Sequence, residues 1–154
     1  MPSAHPPNFQ STEADLAYLR THPHTRHARK KEFLVTVSFV PTAGSVQTLE
    51  GLVQMAAGDA LVTGQVGERW CVPQAAFDRR YRPAHGQASG QDGRYLSRAV
   101  EVSALQMPTP FTVLLSDGLS RLHGQGGDWL VDYRDDQLGV VANEIFLQTY
   151  ELLA

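Results

Sequence analysis

Apolar residues recur at two spacings along this chain. Phe33, Val35, Val37 and Phe39 alternate with polar positions and fall on one face of an extended run, the period of a half-buried strand. Upstream the spacing is helical. Leu16 and Leu19 share a face, Ser11 or Thr12 can cap, Glu13 and Asp15 lie in the first turn, and Pro23 stops the element. That pattern predicts a helix over 12–20. Helical spacing returns twice more. Phe77 and Tyr81, and then Phe146 and Tyr150, are four apart, which sets each pair on one face of a short helix, over a sheet. The helices are predicted at about 74–81 and 143–150, with Pro73 at a first helical position and Asn143 at an N-cap.

The two Phe-x-x-x-Tyr pairs belong to a larger repetition. GDALVTGQVGERWCVPQAAFDRRYRP, from Gly58, aligns without a gap on GDWLVDYRDDQLGVVANEIFLQTYEL, from Gly127, at a constant offset of 69. Gly58, Asp59, Leu61, Val62, Val72, Phe77 and Tyr81 match Gly127, Asp128, Leu130, Val131, Val141, Phe146 and Tyr150. After a two-residue slip the register continues upstream: Val35, Pro41, Val46, Gly51 and Leu52 match Val102, Pro108, Val113, Gly118 and Leu119. Such self-similarity marks one structural unit used twice. Each unit reads as a strand ending at a proline, a hairpin turning at Glu50-Gly51 or Asp117-Gly118, a Gly-Asp corner, a second hairpin and a closing helix.

The expected fold is therefore α+β: two tandem, β-rich, small-barrel-like repeats, each ending in a short helix packed on its sheet and related by an approximate pseudo-two-fold. Expected boundaries are an N-terminal arm with one short helix over 1–32, repeat A over 33–83, a Gly/Ser/Gln linker over 84–98 and repeat B over 99–154. Residues 1–10 read as an unstructured lead. A unit of about 50 residues buries too little surface to stand alone comfortably, so the repeats should pack together. Exposed edge strands leave a homodimer possible.

Composition narrows the function classes. At 154 residues, 42% hydrophobic and 19% charged, the chain can bury a core. A net charge of -3 supplies no global field toward nucleic acid or anionic membrane. No apolar run approaches the ~20 residues of a membrane span, and MPSAHPPNFQ has no secretory pattern. A cytoplasmic protein is expected. The single cysteine, Cys71, excludes an internal disulfide and paired-thiol zinc sites.

Four pieces resemble the PGDYG-domain proteins of bacteria: DGRYLSRAVEVSALQM (Asp92–Met107), FTVLLSDG (Phe111–Gly118), LHGQGGDWLVDY (Leu122–Tyr133) and LGVVANEIFLQTYE (Leu138–Glu151). The first repeat is also similar to small phage-encoded proteins built as Gly-Asp-Trp…Gly…Phe-x-x-x-Tyr-Glu. Together the resemblance covers roughly 45–151. Where the family has Pro-Gly-Asp-Tyr-Gly, the loop Arg134–Gly139 keeps only the final glycine. The resemblance implies a compact domain in a bacterial or phage-like setting and brings no reaction with it.

Candidate chemistry is sparse. His22, His24 and His27 are imidazole ligands in type, but a solvated connector does not preorganise them, and no metal site is assigned. Cys71 aligns with Val140, which favours a small buried residue over a nucleophile. Asp59 and Asp128 recur after glycine, which favours turn capping over acid–base work. The basic cluster Arg26–Lys31 reads as a flexible arm rather than a phosphate-binding one, so nucleic acid is not the expected partner. Trp70 is expected at the inter-repeat contact. Trp129, Tyr133 and His123 have small or aliphatic counterparts in repeat A: Ala60, Gly64, and about Gln54 or Met55. With Asp128 they form the candidate ligand surface, although packing of one repeat on the other accounts for them equally well. No catalytic residue and no cofactor is assigned. The expected function is a non-enzymatic binding or accessory domain presenting loops and an aromatic surface to a protein or small ligand. The alternatives are a small enzyme with its site in the inter-repeat groove, using Asp128, His123 and Asp59, and nucleic-acid binding through the basic arm.

Overall fold

The computed structural model describes residues 7–154, so most of the lead expected over 1–10 lies outside the described residues. The protein is mostly β-sheet with three short helices, an α+β fold. In chain order the elements are β1 (Asn8–Gln10), α1 (Glu13–Thr21), β2 (Arg26–Lys30), β3 (Leu34–Phe39), β4 (Gly44–Thr48), β5 (Gly51–Met55), β6 (Ala60–Thr63), β7 (Arg69–Val72), α2 (Gln74–Arg80) and β8 (Tyr81–Pro83). Then follow β9 (Gly93–Ser97), β10 (Glu101–Gln106), β11 (Phe111–Leu114), β12 (Arg121–Gly124), β13 (Trp129–Asp132), β14 (Leu138–Val141), α3 (Asn143–Thr149) and β15 (Tyr150–Leu152).

Two five-stranded antiparallel sheets form the body, in the orders β7-β6-β3-β9-β8 and β14-β13-β10-β2-β15. The hairpin β4-β5 stands beside the first, and β1-β11-β12 forms a third sheet in which β1 runs parallel to β11. Each five-stranded sheet takes one strand from a distant segment. β2 pairs with β10 and β15, and β9 pairs with β3 and β8.

This pairing corrects two expectations. The segment read as a flexible connector, Arg26–Lys31, contains an inner strand. The segment read as linker, 84–98, contains another, with Tyr95 1% exposed. Both carry the turn-forming or charged residues that mask strand alternation, and each pairs on one side with a strand more than 50 residues away, which no local pattern reports.

The sheets differ in how they are covered. On the first, α2 lays Phe77 over Val35, Val37, Val62 and Tyr95, and the other face is more open, so β3 alternates between buried and exposed. The second is covered on both faces. α3 brings Phe146 against Val102, Ala104, Trp129 and Val131. α1 brings Leu16 and Leu19 against Leu105, Leu130 and Val140. Every residue of β13 is buried as a result, the signature of a strand covered on both sides. α1 starts where its capping pattern predicts, with Thr12 Oγ1 accepting from Asp15 N at 3.2 Å, and it is tied down by Arg20 Nε to the fully buried Asp132 at 2.7 Å.

The two later helices are capped differently from expectation. Pro73 and Ala142 hold the cap positions, and Asn143 is the first helical residue. The caps come from the Gly-Asp corners. Asp59 accepts from Ala56 N at 2.9 Å and from Gln74 N at 3.0 Å, while Asp128 accepts from Gln125 N at 2.9 Å and from Asn143 N at 3.0 Å. Each carboxylate closes its own turn and serves an orphan amide at a helix start. Among the described residues, no helix is long and apolar enough to cross a membrane.

Candidate functional site

A cavity of about 300 Å³ lies where the two sheets meet. Its sides are β7 with the β4–β5 turn and, opposite, β14 with the start of α3; the ends of β2 and β9 and the beginnings of β8 and β15 close it. Four aromatic residues line it: Trp70, Tyr81, Tyr133 and Tyr150. Two of them are the tyrosines of the Phe-x-x-x-Tyr pairs. Each directly follows its helix, where the chain turns back into a strand, and each ring stacks on the phenylalanine four residues earlier, at 5.3 Å for Tyr81 and 4.8 Å for Tyr150, while lining the cavity.

Glycines make room for the other two. A Cβ on Gly64 would lie 3.1 Å from the Trp70 ring, and one on Gly139 would lie 2.7 Å from the Tyr133 ring. In each hairpin a ring from one strand lies over a glycine of the other. Trp70 Nε1 donates to the Tyr81 hydroxyl at 3.0 Å, and burial pushes the ionisation of that hydroxyl upward.

The polar groups of the cavity fall into two kinds. Arg80 is satisfied. Its Nε and Nη2 donate to the two oxygens of Asp135 at 2.8 and 3.1 Å, and its guanidinium lies 4.1 Å from the Tyr133 ring centroid. Four groups, by contrast, make no side-chain hydrogen bond among the described residues: the Lys30 ammonium, Glu50 Oε2 and the hydroxyls of Tyr133 and Tyr150. The Lys30 ammonium sits 4.7 Å from the Tyr150 ring centroid and 5.8 Å from that of Trp70, an arrangement that is attractive but no substitute for a hydrogen bond. Burial lowers its pKa to about 8. Glu50 Oε2 is buried with no partner, and burial, reinforced by Asp128 and Glu68, raises its carboxyl to about 7. The hydroxyls of Tyr133 and Tyr150 are perturbed upward by burial and gain no hydrogen bond from the described residues.

The position of Glu50 has a pH signature. Its folded-state value of about 7 lies above the ordinary 4.5, so the folded protein holds this proton where the unfolded chain has released it. No cost exists below about pH 4.5; stability falls as pH rises toward 7, and the full cost is present above it. Glu50→Gln is expected to match wild type near pH 4 and to exceed it at pH 8, by up to about 3 kcal/mol. Urea unfolding at the two pH values checks this, and an equal difference at both would mean that Glu50 is solvated.

Of the four candidate residues read from sequence, only Tyr133 reaches the cavity. Trp129 is 5% exposed, stacks on Phe146 at 4.0 Å and donates from Nε1 to Asn143 Oδ1 at 2.9 Å. Asp128 is engaged in its corner. His123 is exposed on β12, with its backbone N donating to Glu50 O at 2.7 Å. Trp70 packs on the core of its own sheet and lines the cavity. Cys71 lines the cavity, and burial pushes its thiol up to about 11, which leaves little thiolate.

The N-terminal histidines separate. His22 and His24 adjoin, with ring centroids 5.6 Å apart, while His27 is in β2. No group of three His, Cys, Asp or Glu among the described residues is placed to hold a metal ion. Sequence reading missed Lys30 and Glu50, one hidden in a basic cluster and one in a turn. Tyr81 and Tyr150 carried a usable signal, because an aromatic hydroxyl recurring at the end of both helices is unusual equipment for core packing alone.

The class defined is thus a β-rich α+β domain with an aromatic cavity between its sheets. Residues 51–151 match the model of the PGDYG protein family, and the chain belongs to that family. No curated protein and no solved structure matches it. Gly127-Asp128-Trp129 reads Gly-Asp-aromatic, like the centre of the family's name.

Proposed function

We propose that this chain is a non-enzymatic binding domain that holds a small, ring-bearing molecule between its two five-stranded sheets. One observation carries the reading: a 300 Å³ cavity walled by four aromatic side chains holds the buried Glu50 Oε2 with no partner among the described residues, beside a Lys30 ammonium that faces two rings. Small-ligand sites have this character, apolar walls with a few convergent polar groups, and run from about 300 Å³ upward. Buried polar groups are otherwise almost always paired.

The same reading treats the body as a duplicated unit with exchanged strands. Its support is reciprocity. Lys30 N donates to Val100 O and Ser97 N to Phe33 O, each at 2.9 Å; Ser97 lies 67 positions after Lys30, and Val100 lies 67 after Phe33. Lys31 N donates to Thr149 O and Arg98 N to Arg80 O, each at 2.8 Å. Residue i meeting j while the counterpart of j meets the counterpart of i is the mark of a two-fold interface. On this view β2 and β9 are the leading strands of the two copies, each lent to the other's sheet, and the cavity sits on the pseudo-axis. The copies have diverged there. Of the charged side chains in the lining, Lys30, Glu50, Asp59, Glu68, Arg69 and Arg80 come from the first and Asp117 from the second.

The test is a thermal-shift screen with small aromatic compounds. A ligand at ~100 times its Kd stabilises by about 2.7 kcal/mol, roughly 5–10 °C for a chain of this size. The shift should vanish in Trp70→Ala. A folded Trp70→Ala protein that keeps the shift places the site elsewhere. A second reading, catalysis in the same cavity, is favoured by Glu50, since a carboxyl held near neutrality suits proton transfer. Turnover of a bound compound that is lost in Glu50→Gln would select it.

A further inference from the structure

We infer that the ligand of this cavity is an organic anion, a small aromatic ring bearing a carboxylate, with its charge received by the Lys30 ammonium and its ring packed on the aromatic walls. This rests on the binding reading above and names the chemistry of the occupant.

The argument is one of unneutralised charge. Arg80 is matched by Asp135 at hydrogen-bond distance. Arg69 donates from Nη2 to Gln47 O at 3.2 Å at the mouth. Lys30 has neither kind of partner. Glu68 acts on it favourably and Arg80 unfavourably, but no carboxylate of the described residues lies within ion-pair distance. A half-buried ammonium without a counter-charge at ion-pair distance carries a desolvation cost, seen in its lowered pKa, and an anionic ligand would offset that cost.

The other carboxylates of the lining have their own partners: Asp59 and Asp117 accept turn and helix-start amides, and Glu68 Oε1 accepts from Val66 N at 3.4 Å. Glu50, raised by burial to about 7, is in part an uncharged carboxylic acid, while Lys30, at about 8, is mostly an ammonium. Among the described residues of the lining, Lys30 is the cation whose side chain makes neither a hydrogen bond nor an ion pair.

Lys30 is also dispensable to the sheet. It faces Tyr150 across β2 and β15 as Ser97 faces Tyr81 across β9 and β8. The Ser97 hydroxyl is used structurally, donating to Lys31 O at 2.7 Å and accepting from Phe33 N at 2.8 Å. The Lys30 side chain makes no such bond. A residue that the fold does not need, kept as a half-buried cation between two rings, points to a ligand. The chain has two lysines, adjacent in sequence. Alternation sends them to opposite sides of the strand direction, and Lys31 is exposed, which makes it an internal control.

The experiment is calorimetric titration of the full chain with matched probes: 2-naphthoate and benzoate, their amides 2-naphthamide and benzamide, and the amine 2-naphthylmethylamine. The expected result is that at least one carboxylate binds tenfold or more tighter than its amide, with the amine weakest. Lys30→Met should erase the preference while leaving amide binding in place, and Lys31→Met should keep it. Carboxylate and amide binding equally would overturn the anion inference and leave the cavity reading standing, as would a preference that survives in Lys30→Met. If no probe binds, both readings fall. The wild-type comparison of acid with amide decides the matter even where a Lys30 variant does not fold.

Discussion

Asp135→Ala is expected to cost about 3–5 kcal/mol of folding free energy, because it strands a guanidinium in the interior. The Arg80 side chain is 11% exposed and that of Asp135 8%. Burial acts against the charge on Arg80, and the paired hydrogen bonds from Asp135 outweigh it. Remove the carboxylate and the arginine has no way out: it does not give up its proton, and its remaining close partner is the Tyr133 ring at 4.1 Å. The pair also joins two distant parts of the chain. Arg80 ends α2, and Asp135 belongs to the β13–β14 loop, whose Arg134 and Asp136 hold φ angles of 60° and 64°. Non-glycine residues in that region are strained, and the ion pair holds the loop jointly with Arg79 Nη1, which donates to Tyr133 O at 2.8 Å, and Arg134 N, which donates to Asp132 Oδ1 at 2.8 Å. The measurement is the urea midpoint at unchanged slope. Asp135→Ala should show the full loss, and Asp135→Ala with Arg80→Met should recover much of it, since a buried pair replaced by apolar groups is often nearly neutral. A loss below ~1 kcal/mol in the single variant would mean that water reaches Arg80.

How far the sequence displays this molecule depends on how local each cause is. The α1 cap, the alternation of β3 and the placement of Phe77 and Phe146 over their sheets are settled by neighbours within a few residues, and they stand in the chain to be read. Pairing is not. Arg26–Lys30 looks like a solvated basic run because three of its five side chains are charged, yet β10 and β15 wait for it more than 70 residues away. Its buried member is Ala28, a residue too small to stand out. The site suffers from the same blindness. Lys30 and Glu50 come from a strand and a turn unremarkable by themselves, and only the meeting of the two sheets turns them into unpartnered charges. Trp129 misleads in the opposite direction. A large aromatic residue with a small counterpart in the other half reads as a binding surface, whereas it fills space against Phe146 that the first half fills with Phe39 and Tyr95 around Phe77.

Phe146→Ala is expected to be as damaging as the loss of Asp135, and for a different reason. Phe146 is 1% exposed and is the middle ring of a stack, 4.0 Å from Trp129 at 12° and 4.8 Å from Tyr150 at 14°. Truncation leaves a cavity that Trp129, held in the fully buried β13, cannot move in to fill, so the site collapses poorly, and the cost belongs at the upper part of the about 3–5 kcal/mol range for such changes. For a chain of this length that is roughly a 10–15 °C fall in Tm. The effect should also travel. Tyr150 has Phe146 on one side of its ring and the Lys30 ammonium near it at 4.7 Å, so a Tyr150 freed to move no longer fixes the amine in the cavity. At a temperature where Phe146→Ala is still folded, affinity for 2-naphthoate should drop severalfold while affinity for 2-naphthamide changes less. Trp129→Phe, which trims the other side of the same stack without touching Tyr150, should lower Tm by a smaller amount and leave the two affinities in their wild-type ratio. If both variants weaken the acid and the amide alike, the stack supports the cavity only as a wall, and the position of Lys30 is set by the β2 backbone instead of by the ring.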